Sequence, residues 1–151
     1  MAFNDLDSLN PSQTIWKQRA DLDALNQMSH NTLVEHLEIR FTEITDNSIS
    51  ATMPVCHFTH QPFGQLHGGA SVVLAETVGS VAANLCVDEG YYCVGLDINA
   101  NHLRAKSEGV VTGTARAIHL GRSTQVWQIT IEDEEQRAIC VSRLTIAVKQ
   151  R

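Results

Sequence analysis

The chain has 151 residues, 43% of them apolar, 19% charged and only 5% aromatic, with a formal net charge of −6. That length fits one domain around a single core. So few aromatics argue against a stacking platform for single-stranded nucleic acid, and no run of Lys or Arg offers the positive stripe that a duplex requires.

No apolar run reaches the roughly 18 residues of a membrane span. Met1 to Pro11 is polar, with Asp5 and Asp7 where a signal peptide would carry a basic start and an apolar stretch. The expectation is a cytoplasmic protein. Cys56, Cys86, Cys93 and Cys140 form no C-x-x-C pair and read as reduced, packed thiols.

Residues 1–14 show no period and read as a flexible N-terminal arm, leaving 15–151 as the domain. From Asp21 to Met28, Leu22, Leu25 and Met28 fall at i, i+3 and i+6, the spacing of a short amphipathic helix. Asn31 is the expected cap of a second short helix carrying Leu33, Val34 and Leu37. The period then changes to that of strands. Ile39, Phe41 and Ile44 alternate with polar residues, Asp46–Asn47 turns, and Ile49, Ala51 and Met53 alternate again, which predicts a hairpin.

A long helical stretch follows, Gly69 to Val87, and then three strand-like runs: "YYCVGLDINANHLR", "GVVTGTARAIHLG" and "TQVWQITIEDEEQRAICVSRLTIAVKQ". The last reads as two strands turning near Glu134–Glu135. Strands uninterrupted by helices pair antiparallel, so the expected fold is α+β, a sheet wrapped around one central helix.

That helix carries one charge. Val73, Leu74, Thr77, Val78, Val81 and Leu85 form an expected apolar face, and Val72, Ala75, Glu76, Gly79, Ser80 and Ala83 an opposite side of mostly small residues. Between Asp46 and Asp88, Glu76 is the only Asp, Glu, Lys or Arg. An unpaired carboxylate in apolar surroundings is costly, and such groups concentrate at functional sites. Glu76 is the leading catalytic candidate.

Just ahead of it stands "QLHGG". N–H groups at a helix start lack intrahelical acceptors, and they can hold an anion or a developing oxyanion. Gly68 and Gly69 also remove the Cβ that would keep a carbonyl away. His67 and Gln61 stand where they can order a water or polarise a carbonyl. Eight residues separate Gly68 from Glu76, about 12 Å of helix rise. One chain therefore cannot readily present both groups to one carbonyl carbon. Two antiparallel helices of a symmetric dimer can, with Gly68 of one copy facing Glu76 of the other.

"QPFGQLHGGASVVLAETVGS", together with "VGLDINANHLR" and "HLGRSTQVWQITI", resembles the hotdog-fold acyl-CoA thioesterases over Ile15 to Val148. Within them it is similar to the bacterial branch acting on aromatic acyl-CoA esters, such as the 1,4-dihydroxy-2-naphthoyl-CoA of menaquinone biosynthesis. The resemblance implies a homodimer with one continuous sheet, pairing into a homotetramer, and an acyl-CoA substrate with neither cofactor nor metal. It implies Glu76 as nucleophile or general base, and the Gly68 N–H on the thioester carbonyl. Gln61 and His67 would order substrate or water, and Ser80 would help place the water or carboxylate. His102 and Arg104, and Arg122, Ser123 and Thr124 in the turn "GRST", are the expected CoA contacts. Lys106 reads as a solvated loop residue. Phe63, Val72 and Val81 would line the acyl pocket.

Three rivals are weaker. Cys56, His57, His60 and His67 straddle a loop without the paired spacing of a zinc site. No G-x-S-x-G elbow supports a serine hydrolase. A non-catalytic acyl-CoA-binding module on the same fold is the alternative from another class, but mere binding gives no reason for a carboxylate at position 76.

Overall fold

The computed structural model describes residues 14–151. Residues 1–13 of the expected arm lie outside the described residues; Thr14, its last member, donates its hydroxyl to the Asp46 carbonyl at 3.2 Å. Asp21 accepts the Asp23 N–H and opens α1 (Leu22–Met28). Thr32, not Asn31, caps α2 (Leu33–His36), accepting from Val34. Asn31 instead takes a left-handed φ of 59°, and its N–H donates to the Glu35 carboxylate at 2.7 Å. Helix α1 buries only part of its expected stripe: Leu25 enters the core, whereas Met28 is 74% exposed.

Six strands follow the expected runs: β1 (Arg40–Ile44), β2 (Ser48–Val55), β3 (Tyr91–His102), β4 (Gly109–Leu120), β5 (Thr124–Glu132) and β6 (Ala138–Gln150). They form one sheet in the order β1-β2-β4-β5-β6-β3, with every neighbouring pair antiparallel. A register slip between Phe41 and Glu43 lets Phe41 and Ile44 share a face despite their odd spacing. Strand β3 carries a second slip, between Gly95 and Asp97.

Helix α3 (Gly68–Leu85) lies across the sheet. It begins one residue before the expected Gly69 because His67 caps it from the preceding position, and it ends at Leu85 with Cys86 as its C-cap. Its buried side is also rotated from the expected one. Leu74, Val78 and Leu85 are buried, as expected, but so are Ala75, Gly79 and Ala83 from the small side. A Cβ on Gly79 would meet Leu144 Cδ2 at 2.7 Å and Ile129 Cδ1 at 3.2 Å, so the missing side chain lets α3 approach β5 and β6. Val73, Thr77 and Val81, expected in the core, are only half-buried, together with Val72, Glu76 and Ser80.

At the far end of the core, Trp127 is fully buried, stacked on Trp16 with ring centroids 6.3 Å apart. Its indole N–H donates to Gln125 Oε1 at 2.9 Å, and the Trp16 indole N–H donates to the Thr45 carbonyl at 2.6 Å. Trp16 therefore fastens the entering chain to both the hairpin and the core. No helix among the described residues is long and apolar enough to cross a membrane. Replacing Trp127 by Ala removes this stack and leaves the buried Gln125 carbonyl oxygen without its donor. The expected loss is about 3–5 kcal/mol of unfolding free energy, read as a lowered urea midpoint.

Candidate active site

The start of α3 is the best-defined polar feature of the chain. His67 accepts the Gly69 N–H on Nδ1 at 2.8 Å, and its carbonyl accepts from Ala70 and Ser71. Since Nδ1 is the acceptor, the neutral ring carries its proton on Nε2. His67 is thus a helix cap here, a role its position before the two glycines did not by itself reveal. The Gly68 N–H has no acceptor among the described residues. It is the orphan donor of the helix start, at the positive end of the helix dipole.

The surroundings of Gly68 are built by the β3–β4 connection. A Cβ on Gly68 would lie 2.8 Å from His102 Nε2, so glycine lets the imidazole rest against the helix start. Gln61, Gly68, Ser71, His102 and Arg104 line one cavity of about 340 Å³. Four of the expected site residues therefore converge. The Gln61 side-chain oxygen accepts the Phe63 N–H, which fixes the turn leading into it. Phe63 itself is 90% exposed and lines none of the cavities described below.

Ser80 and Val81 lie elsewhere along α3. They line a second cavity, of about 410 Å³, whose other walls include Ala24, Leu25 and Met28 of α1 and Tyr91. Sequence reasoning missed this wall, because the helical period of α1 assigned Leu25 and Met28 to a core stripe and did not show that both also border a cavity against α3. Arg122 lines a third cavity, of about 340 Å³, with Lys17, Asp88 and Gln125 at the far end of α3. Ser123 and Thr124 are exposed beside it. Glu76 sits between the two ends, half-buried, with no ion pair or hydrogen bond among the described residues.

Other nucleophiles are poorly suited. Burial pushes the Cys86 thiol up to about 12 and the Cys93 thiol up to about 11, so both are protonated at neutral pH. Among the described residues no three His, Cys, Asp or Glu side chains converge as a metal-binding group.

The sequence profile of the thioesterase superfamily matches residues 63–140, the span from the turn before α3 through the start of β6. The chain belongs to the thioesterase superfamily. A Vibrio cholerae protein is 69% identical over 137 residues, 91% of each chain. The 1,4-dihydroxy-2-naphthoyl-CoA hydrolase of Escherichia coli K12 is 54% identical, covering 89% of this chain and 98% of its own. The crystal structure of a Haemophilus influenzae thioesterase superposes with a TM-score of 0.89 at 54% identity, over 91% of this chain and 96% of that one. The fold is the hotdog, and the protein is an acyl-CoA thioesterase, an enzyme hydrolysing thioesters of coenzyme A.

In this thioesterase the loop flanking the Gly68 cavity is pinned from outside. Lys106, expected in solvent, keeps a side chain only 14% exposed and pairs with Glu134 at 2.6 Å. The other Glu134 oxygen accepts the Val110 N–H at 2.7 Å, and the Lys106 carbonyl accepts from Leu66 at 2.7 Å. One carboxylate on the β5–β6 turn thus holds the β3–β4 loop against the segment entering α3. The Lys106 ammonium and the Val110 N–H lower the Glu134 carboxyl from 4.5 to about 2. A depressed folded-state value stabilises above the unfolded value and loses that contribution as pH falls. The stability advantage of wild type over Glu134→Gln should be full above pH 4.5 and vanish towards pH 2. Urea unfolding across that window checks it.

Proposed function

We propose that this thioesterase hydrolyses CoA esters of aromatic carboxylic acids, with Glu76 as the reacting carboxylate and the Gly68 N–H as the donor to the thioester carbonyl. The observation that carries the reading is the bare Glu76 carboxylate, half-buried on α3 without a partner among the described residues. A carboxylate kept in that state is available to attack the carbonyl carbon, forming an anhydride and releasing the CoA thiolate. It is equally available to take a proton from the water that attacks. Both routes require the carbonyl oxygen on a donor such as the orphan Gly68 N–H, which meets negative charge as it develops. Gln61 and His102 shape the approach to that donor, His67 orders the helix start, and Ser80 lies one turn beyond the carboxylate.

Two copies supply the geometry that one lacks. Gly68 and Glu76 are separated by about 12 Å along one rigid helix, whereas antiparallel α3 helices bring one copy's donor to the other's carboxylate. The surface suited to such pairing is β3, an edge strand whose exposed Val94, Leu96 and Tyr92 form an apolar rim open to another strand. The reading is therefore a homodimer with a sheet continuing across β3, and a homotetramer made from two such dimers, working in the cytoplasm without metal or cofactor.

The substrate preference rests on the cavity between α1 and α3. It opens beside Ser80 and Val81, is walled by Leu25, Met28 and Tyr91 and encloses about 410 Å³, room for a fused aromatic ring. Arg19 and Arg151 also border it and suit the phenolic groups of a hydroxylated aromatic acid. The Escherichia coli relative is named for such an ester. The expected nucleotide contacts are Arg122, Ser123 and Thr124, with His102 and Arg104 nearer the thioester. Arg104 and Arg122 have no ion-pair partner among the described residues and are free for phosphate.

The deciding experiment is thiol release from benzoyl, hydroxynaphthoyl, short-chain and long-chain CoA esters, for wild type and Glu76→Gln. Wild type should favour the aromatic esters, and the variant should lose about 10²- to 10⁴-fold in kcat with substrate binding intact. Wild-type turnover in the variant would remove Glu76 from the chemistry. Binding without thiol release by either protein would favour the binding module. In the same assay Arg122→Ala should raise KM for CoA esters more than for truncated pantetheine esters; equal effects would place Arg122 away from the nucleotide.

A further inference from the structure

Glu76 is bare on its own helix but closely bounded from the sheet. Its Oε1 lies 2.6 Å from where a Cβ on Gly95 would stand, inside the contact distance that any side chain tolerates. Gly95 pairs with Ile146 of β6, which is fully buried, so this point of β3 faces α3. Only a residue without a side chain leaves the carboxylate its place against the strand.

The next residue is the irregular one. Gly95 pairs with Ile146 and Asp97 with Thr145, so Leu96 is the extra residue of a bulge. Its consequence is a matter of parity. Gly95 and His102 are seven residues apart, an odd spacing that would put them on opposite faces of a regular strand. The extra residue restores the count. Ile98, Ala100 and His102 then pair with Leu144, Ser142 and Cys140, whose buried side chains belong to the same face as Ile146. One bulge thus turns Gly95 and His102 to the same face of β3, with Gly95 at Glu76 and His102 at Gly68.

We propose that Gly95, presented by the Leu96 bulge, is a positioning residue that seats the Glu76 carboxylate for catalysis. The proposal rests on the catalytic reading of Glu76 and adds what holds the carboxylate in place. Gly95 does not touch substrate; it acts by leaving a space that the carboxylate fills. A methyl group there pushes the carboxylate aside while leaving the Gly68 donor and the CoA contacts unchanged.

The test is a double-mutant cycle on an aromatic CoA ester, using Gly95→Ala, Glu76→Asp and both together in the assembled protein. Gly95→Ala should lower kcat on the order of 100-fold, the scale of a displacement near 1 Å, with KM within about threefold of wild type. Glu76→Asp withdraws the carboxylate by one methylene, so the two losses should combine to far less than their product. Losses that multiply, or a Gly95→Ala protein with wild-type kcat, would overturn the proposal. Glu76→Gln, run alongside, separates the two readings. If that variant keeps its activity, the catalytic role of Glu76 fails; if it is inactive while the cycle is multiplicative, only the positioning role fails. A second measurement does not depend on how the Gly95→Ala chain folds. In a crystal structure of the wild-type protein the Glu76 carboxylate should rest in van der Waals contact with the Gly95 backbone, as the close approach of Oε1 to the Gly95 Cβ position requires. A carboxylate turned away from β3 there would overturn the proposal.

Discussion

A helix can be laid close to a sheet only where its facing side chains are small. In α3 that requirement falls on Ala75, Gly79 and Ala83, and at Gly79 the methyl groups of Leu144 and Ile129 occupy the space that a side chain would fill. With the helix seated so deeply, its large buried residues, Leu74 and Val78, reach the sheet beside the small ones. The remaining stripe, carrying Val72, Glu76, Ser80 and Val81, is left half-covered. The same packing that closes the core therefore leaves one strip of helix half-open, the strip that carries the proposed reacting carboxylate, and fixes it rigidly because a buried helix has no freedom to rotate.

Polar satisfaction along that helix is uneven in a way that matches the proposed reaction. Helix α3 begins with three of its amides supplied by His67, two through the carbonyl and one through the ring, and leaves the Gly68 N–H. Eight residues on, the only acidic group of the helix also stands without a partner. An orphan donor and an orphan acceptor normally weaken a fold. Kept on one element, with Gly68 opening on a cavity, they are the two groups that the proposed reaction asks of a carbonyl site. Their separation along the helix axis is the reason that the proposed site needs a second copy.

The elements around α3 hold that environment still. Glu134 secures the loop beyond His102 through Lys106 and Val110, and the Leu96 bulge sets which face of β3 meets the helix. Neither contributes a group to the chemistry. Both act by fixing backbone, Glu134 through its two oxygens and the bulge through one extra residue in the β3 ladder.

The sequence by itself determined the strand periods, the long helix, the antiparallel α+β architecture and the isolation of Glu76, because each is a local property of spacing or composition. It also marked the glycines that open α3. It misplaced the cap of α2, since Asn31 and Thr32 are both good caps and the choice turned on backbone conformation. It assigned the wrong side of α3 partly to the core, because a helix apolar nearly all round does not say which side meets a sheet; the close approach at Gly79 decided that. It could not show that His67 caps α3, that Lys106 is pinned by Glu134, or that α1 walls a cavity beside Val81, since these depend on residues far apart in the chain. The meeting of Gly95 with Glu76 was hidden for the same reason. A bulge changes which side chains share a face without leaving a regular mark in the hydrophobic pattern, so only the tertiary structure could bring that glycine to that carboxylate.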